Sequence, residues 1–339
     1  MSERPAFPRD NNLEWLRLLF AIQVLIEHAC EHLGYSMPDI IKHFPGVPAF
    51  FFVSGFLIYT SYLNAPGIRY FQNRFLRVFP GLVFVSLGGL VVVGIAKGWS
   101  FIFENFSSCL IWFIAQISLG QAFNPGLFRD IGVGVINGSL WTITTEILFY
   151  LFVPVLVFME KGFRHTVLWL SLLSFAFYVL GPTTFTQTVY RDKSLFEVLS
   201  ITPVTWGWMF GLGILAVQYF ERIKRVLPYF GWFLLPMMAM ILYGDGVFWG
   251  SNGNRLGLVY FICYLSVVLW IAFALPKVSL TFDLSYGLYV WHMPVINLFI
   301  VLGIQSISAA IGLSFVLAIL SWFLVEKPML KLKKYSLRA

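Results

Sequence analysis

The sequence predicts an all-α integral membrane protein, a bundle of about ten transmembrane helices with both termini in the cytosol. Three observations predict it. First, charged residues make up 12% of the 339 residues against 59% hydrophobic and 19% aromatic, and the mean hydropathy is +0.80. A soluble globular chain carries roughly 25% charged residues, and half that share leaves too few charges to wet the surface. Second, the apolar residues recur in runs that approach the roughly 20 residues a helix needs to cross a bilayer. Third, the basic residues sit in short clusters between and after these runs, as cytosolic loops do. That placement accounts for the net charge of +7 without a nucleic-acid partner. A β-barrel is excluded because Leu82 to Ala96 and Gly312 to Val325 are apolar on every side, whereas barrel strands alternate over about 10 residues.

Eleven apolar stretches stand out: 13–33, 47–64, 79–96, 106–121, 139–158, 166–181, 202–219, 229–243, 256–274, 282–303 and 307–325. Arg17 interrupts the first, and no small-residue cleavage site follows, so this helix is expected to stay in the protein. The tail residues Lys327, Lys331, Lys333, Lys334 and Arg338 mark a cytosolic C-terminus, and Arg4 and Arg9 the same side for the start. Both ends inside requires an even count. Leaving 106–121 outside puts Arg69, Arg74 and Arg77, the 160–164 loop, and Arg222, Lys224 and Arg225 all in the cytosol. The expectation is therefore ten spans, with 97–137 an outer-face segment holding a re-entrant or interfacial helix. Cys30, Cys109 and Cys263 are scattered without metal-ligand spacing, so no disulfide framework is expected. With no linker or repeat, residues 1–339 read as one domain, core 12–330, ending in a short basic cytosolic tail.

Ionisable groups inside lipid are costly and default to functional candidates. The first span carries Arg17 and His28, eleven positions apart. That is close to three helical turns, so both share one face about 16 Å apart along the axis. Such a stripe suits a path between a cytosolic donor and an outer acceptor. The bland alternatives are a snorkelling anchor for Arg17 and a hydrogen-bonded structural histidine for His28. His28-Ala29-Cys30-Glu31-His32 also matches H-x-x-E-H, but a third zinc ligand is missing, so no metal is expected. Ser54-Gly55, in an aromatic run, suggests close helix packing with a hydroxyl facing the bundle interior. Arg74 and Arg77 share a helical face, and two guanidiniums there suit coenzyme phosphates, or serve as a positive-inside anchor. Glu146 opens the fifth stretch and could orient a base, bind a sugar hydroxyl or cap the helix. Trp141 suits stacking on a sugar or the interfacial belt. Tyr289 and His292 bring a second histidine to mid-span, and Glu326 reads as structural.

Taken in order, these units resemble the acyltransferase family 3 of bacterial multi-pass membrane proteins. The Arg-x10-His element is Arg17 and His28. Phe-Phe-x-Ser-Gly-Phe runs from Phe51 to Phe56, and Arg-x-x-Arg-hydrophobic-x-Pro from Arg74 to Pro80. Leu-Trp-Thr-x-x-x-Glu spans Leu140 to Glu146, Ser-Tyr-x-Leu-Tyr-x-x-His-x-Pro spans Ser285 to Pro294, and Glu-x-Pro spans Glu326 to Pro328. Six motifs in the right order cover about residues 12 to 330. The resemblance implies an enzyme of the bacterial inner membrane that moves an acyl group, commonly acetyl, from cytosolic acyl-CoA to a hydroxyl of a surface polysaccharide or glycolipid. Two departures are Pro48, where many members have an acidic residue, and the length, which leaves out the hydrolase-like domain many members append. The membrane domain is accordingly expected to act alone or with an extracytoplasmic partner, with homodimerisation open.

On this reading Arg74 and Arg77, with Arg17, hold the acyl-CoA phosphates. His28 acts as general base on the acceptor hydroxyl or receives the acyl group, and Arg17 holds the donor end of the stripe. Glu146 has a catalytic or acceptor-binding role, and Trp141, Tyr289, His292 and Ser54 face the glycan acceptor. Two other classes compete. A secondary transporter or flippase also places ionisable residues at mid-span, but the two halves of the chain show no repeat. A non-enzymatic subunit of a polysaccharide assembly complex would tolerate replacement of His28.

Overall fold

The computed structural model describes residues 11–121, 123–163, 165–188 and 199–335, the side chains of 181–188 and 333–335 excepted. Arg4, Arg9, Arg164 and Arg338, which enter the orientation argument, lie outside the described residues, as do the side chains of Lys333 and Lys334.

Every regular element among the described residues is helical. The longer helices are α1 (Leu13–Leu33), α2 (Gly46–Asn64), α3 (Ile68–Lys97), α4 (Phe106–Leu119), α5 (Trp141–Gly162) and α6 (Thr166–Thr188). They continue with α7 (Pro203–Gln218), α8 (Leu234–Tyr243), α9 (Leu258–Phe273), α10 (Ser285–Val301), α11 (Ile307–Ser321) and α12 (Lys327–Tyr335). Five stretches are long and apolar enough to cross a membrane by length and composition: 39–64, 68–97, 138–162, 220–243 and 307–332. Four of the remaining expected spans fall short for two physical reasons. Helix α1 is 21 residues long but carries Glu14, Arg17, Glu27 and Glu31. Helices α7, α9 and α10 have only 16, 16 and 17 residues, roughly 25 Å at 1.5 Å per residue. Helix α4 has 14 residues and is shorter still.

The chain folds as two compact units. The first comprises 1–20, 39–67 and 145–281. Glycines bring its helices together. A Cβ on Gly55 of α2 would lie 2.0 Å from the Phe210 carbonyl oxygen of α7, and one on Gly213 would lie 2.1 Å from the Phe52 oxygen. The two backbones meet because neither site carries a side chain, which is how helices associate without a hydrophobic drive between them. Gly211 leaves room for the Ser171 hydroxyl of α6 in the same way. Phe149 then stacks on Phe210 with ring centres 3.8 Å apart. Asn12 at the head of α1 donates to the carbonyls of Ile271 (3.0 Å) and Pro276 (3.1 Å) and accepts from Val278 N–H (2.8 Å). Those carbonyls end α9 and its following turn, where backbone acceptors would otherwise be orphaned.

The second unit comprises 21–38, 68–144 and 282–339 and is organised around α10. Ser285 to Asn297 are buried without interruption, as expected of a helix apolar on all sides. Helix α3 presents Gly81 to Tyr286 and Gly88 to Trp291, while Gly89 receives Trp112 of α4. Helix α11 packs Ala310, Ser314 and Ala318 inward, and Gly287 meets Ala318. The chain passes from α11 to α12 through a π-helical turn, Trp322–Glu326, in which the buried Glu326 accepts from the Ser321 hydroxyl at 2.8 Å.

Candidate active site

The second unit gathers the histidines. His292 is fully buried on α10. Its Nε2 lies 2.8 Å from Nδ1 of half-buried His28 on α1, with the rings nearly parallel and their centres 5.1 Å apart. His32, one turn on, stacks with His28 at 5.9 Å between ring centres. A hydrogen bond between two imidazoles requires one ring to donate and the other to accept, so at least one is neutral. The nearest acceptor to His292 Nδ1 is the Leu288 carbonyl one turn back, at 3.4 Å. With that proton assigned to Nδ1, His292 Nε2 accepts from His28 Nδ1–H, and the lone pair of His28 is left on Nε2. That is the arrangement a general base needs.

Pro294, two residues after His292, builds the surroundings. It has no N–H to close the helical bond to Val290, and its ring crowds that carbonyl. The freed Val290 oxygen accepts from the side-chain amide of Asn137 at 2.9 Å. Asn137 Oδ1 in turn accepts from the Ser139 hydroxyl at 2.8 Å, which fixes the 3₁₀ turn Gly138–Leu140 ahead of α5. Tyr289 meets the same turn: its hydroxyl lies 2.7 Å from Thr142 Oγ1 and 3.3 Å from the Ser139 carbonyl. Its ring stands edge-on to His292 at 5.7 Å. Asn297 clamps the preceding segment, accepting from Val133 N–H at 2.8 Å and donating to the carbonyls of Val135 and Ile136. A Cβ on Gly132, at φ +55°, would lie 1.8 Å from Asn297 Oδ1, so the segment passes there only as glycine.

At the other end of α10, Arg77 pairs with Asp283 at 2.5 Å, both side chains largely buried. Asp283 also accepts from the Ser285 N–H and hydroxyl, at 3.1 and 2.5 Å, at the N-terminus of α10. The expectation that Arg77 faces coenzyme phosphate thus meets a guanidinium engaged with a carboxylate. Asp283→Asn is expected to destabilise the protein by about 3–5 kcal/mol, because it leaves Arg77 charged and largely buried without its counter-ion. Thermal unfolding in detergent checks this, and Arg77→Lys should cost less. Arg74 lies one turn before Arg77 on α3 and is partly exposed. Lys97, at the far end of α3, pairs with Asp130, and its ammonium holds that exposed carboxyl below the usual range.

Three other expected site residues, Arg17, Ser54 and Glu146, belong to the first unit. Arg17 is half-buried near the start of α1, and half-buried Ser54 adjoins Gly55 at the α2–α7 contact. Glu146 lies five residues inside α5 and accepts from the Tyr150 hydroxyl one turn on. The capping role is thereby corrected: the helix dipole acts within the first turn, and Trp141 begins the helix. Half-buried Trp141 and buried Thr142 fall in the second unit, where the Thr142 hydroxyl meets that of Tyr289. Among the described residues no group of three His, Cys, Asp or Glu side chains is disposed to hold a metal ion.

A model of the acyltransferase domain matches residues 10–326. The chain belongs to this acyltransferase family. It is a membrane acyltransferase with several apolar helices, and curated relatives align along nearly all of it. Nodulation protein 10 of Rhizobium leguminosarum bv. viciae is 31% identical over 95% of this chain and 94% of its own length. The O-acetyl transferase of Shigella phage Sf6 is 27% identical over 94% and 96%. The peptidoglycan O-acetyltransferase OatA of Listeria monocytogenes is 26% identical over 94% of this acyltransferase and 56% of its own length. No solved structure matches.

Asn137, Thr142, Asp283 and Asn297 were not among the sequence candidates. Asn297 could have been found, since it is the lone amide in the apolar run Val295 to Ile300, and a polar group there must find partners. Asn137 is announced only by its pairing with a carbonyl that Pro294 frees, 153 residues later.

Proposed function

We propose that this acyltransferase moves an acyl group, acetyl by preference, from cytosolic acyl-CoA to a hydroxyl of an extracytoplasmic polysaccharide or glycolipid. The observation that carries the proposal is the His28–His292 hydrogen bond, which leaves the His28 Nε2 lone pair for the acceptor hydroxyl. An imidazole held in place with a free ring nitrogen suits general-base work. The base draws the proton as the hydroxyl oxygen attacks the thioester carbonyl. The C–S bond then breaks, CoA leaves as thiolate, and the proton on His28 is returned to it. The names of two relatives, an O-acetyl transferase and a peptidoglycan O-acetyltransferase, support acetyl and a glycan. Arg74 takes the donor phosphates in this reading, and Arg17 is the cation that α1 offers the donor. Arg77, held by Asp283, positions α10 instead. His292 and Tyr289, buried and spent on His28 and on Thr142, position the site, which leaves Trp141, Glu146 and Ser54 as acceptor candidates.

The donor is tested by free-thiol release from a panel of acyl-CoAs with purified protein and envelope glycan. Release of CoA with transfer of labelled acetyl to glycan is expected. Folded protein that releases no thiol from any donor would remove the proposal. The proposal also includes a single membrane domain in the bacterial inner membrane, ten spans and both termini in the cytosol. Cysteines placed at Arg129 and Asp130 should then react with an impermeant reagent from outside the cell. Reaction only after permeabilisation would reverse the orientation.

A further inference from the structure

The first unit contains a cavity of about 510 Å³ that the acyl-transfer site does not use. It lies within the range of about 300–1,000 Å³ typical of small-ligand sites. Its lining includes His43, Tyr178, Asp245, Ser251, Asn252 and Arg255. These come from two connecting segments, one before α2 and one between α8 and α9, and from α6.

The walls are pinned by the backbone. Nδ1 of His43 lies 2.9 Å from the Ser251 hydroxyl and 3.1 Å from its carbonyl. The Tyr260 hydroxyl donates to the His43 carbonyl at 2.5 Å, and Gly253 N–H to that of Lys42 at 3.3 Å. Tyr178 donates to the Leu256 carbonyl at 3.2 Å, and Gly257 N–H to Gly250 at 2.7 Å. A cavity held this way exists before any ligand arrives, so little ordering entropy is lost on binding. His43 donates from Nδ1 to Ser251, which leaves its Nε2 as an acceptor.

The chemistry selects the ligand. Asp245 and Arg255 contribute one charge of each sign, so the lining holds no net charge to attract an anion such as a coenzyme phosphate. Carboxylate, amide, guanidinium and imidazole are planar groups that between them donate and accept, which suits neighbouring hydroxyls that do both. Tyr178 adds an aromatic ring. Asp245, Asn252 and Arg255 are exposed. We propose that this cavity is a binding subsite for a neutral oligosaccharide stretch of the acceptor glycan. The inference rests on the proposed function for the identity of the acceptor and for the outer face. The ten-span orientation puts 34–46 and 244–257 on that face independently of the cavity, and the two segments meet there through His43 and Ser251.

The test uses full-length protein in detergent and fluorescently labelled neutral oligosaccharides from an envelope-glycan hydrolysate, with binding read by anisotropy in the absence of acyl-CoA. Asn252→Ala combined with Arg255→Ala is expected to weaken binding at least tenfold, and Asp245→Asn to weaken it while keeping its acceptor for Gly246 N–H. Asn252→Cys guards against misfolding: it should bind, stop binding after a bulky impermeant thiosulfonate, and bind again after reduction. The three native cysteines are buried and will not compete. Binding that survives both the double variant and the blocked cysteine would overturn the inference, as would wild type that binds no neutral oligosaccharide. Because acyl-CoA is absent, loss of the donor reading would leave these results standing, and thiol release by wild type would survive failure of the cavity.

Discussion

His28→Ala is expected to lower acyl transfer by about 10²–10⁴-fold, the range that a positioned general base contributes. The loss should fall on kcat, because the lone pair on Nε2 is needed once the acceptor hydroxyl begins to attack, whereas the donor phosphates are bound elsewhere. Alanine is the best helix former, so α1 should persist. The cost to folding arises at His292, which loses its donor in a fully buried site, a penalty of about 1–3 kcal/mol. Thermal unfolding in detergent separates that penalty from the catalytic loss. The pH dependence has a fixed sign. Protonation of His28 removes the lone pair, so transfer should fall as pH falls through an apparent pKa that belongs to the coupled imidazoles. Folded His28→Ala protein that still transfers at a tenth of the wild-type rate or better would exclude the base.

Hydropathy located most helices because lipid and protein interior ask the same of a side chain. The expected stretch 13–33 coincides with α1, and 47–64 differs from α2 by one residue. It located α3 poorly. The expected start at 79 is eleven residues late, since Ile68 to Val78 includes Arg69, Gln72, Asn73, Arg74 and Arg77. That first part is helical but polar, and hydropathy reports where a helix meets lipid, not where its hydrogen bonds begin. The stretch 229–243 starts inside a 3₁₀ segment, Leu227–Phe233, rather than at an α-helix end. Glu326 was legible as structural because it closes an apolar run, and it is buried against Ser321.

The site was legible residue by residue but not as a set. His28 and His292 each stand out as ionisable groups in apolar runs, yet they are 264 positions apart, and no periodicity relates them. The sequence therefore gave both an acceptor-facing or catalytic role, with no sign that one ring is spent on the other. Arg77 illustrates the same limit. A basic residue after a span looks the same whether it awaits a phosphate or is matched by Asp283, 206 positions on. What sequence could have shown is the consequence of Pro294: it frees the Val290 carbonyl inside a buried helix, and some donor had to answer it.

His292→Gln is the second large effect, and it tests whether the two histidines act as a unit. A glutamine amide oxygen can reach roughly where Nε2 of His292 sits and accept from His28 Nδ1–H, which would hold the same tautomer. His292→Ala cannot, and it opens a cavity at a fully buried position, costing about 3 kcal/mol by analogy with buried ring truncations. The expectation is that His292→Ala loses about 10–100-fold in kcat with donor KM nearly unchanged, and that His292→Gln recovers most of it. A structural role alone predicts losses that follow the change in unfolding temperature. A positioning role predicts instead that glutamine restores turnover beyond what its stability explains, and that the apparent pKa of the rate profile shifts when the second imidazole is gone. The double variant His28→Ala with His292→Ala should be no slower than His28→Ala, since a positioning group has nothing left to position. A double variant slower than either by the product of their separate effects would mean that His292 acts on the substrate directly, as the sequence first suggested.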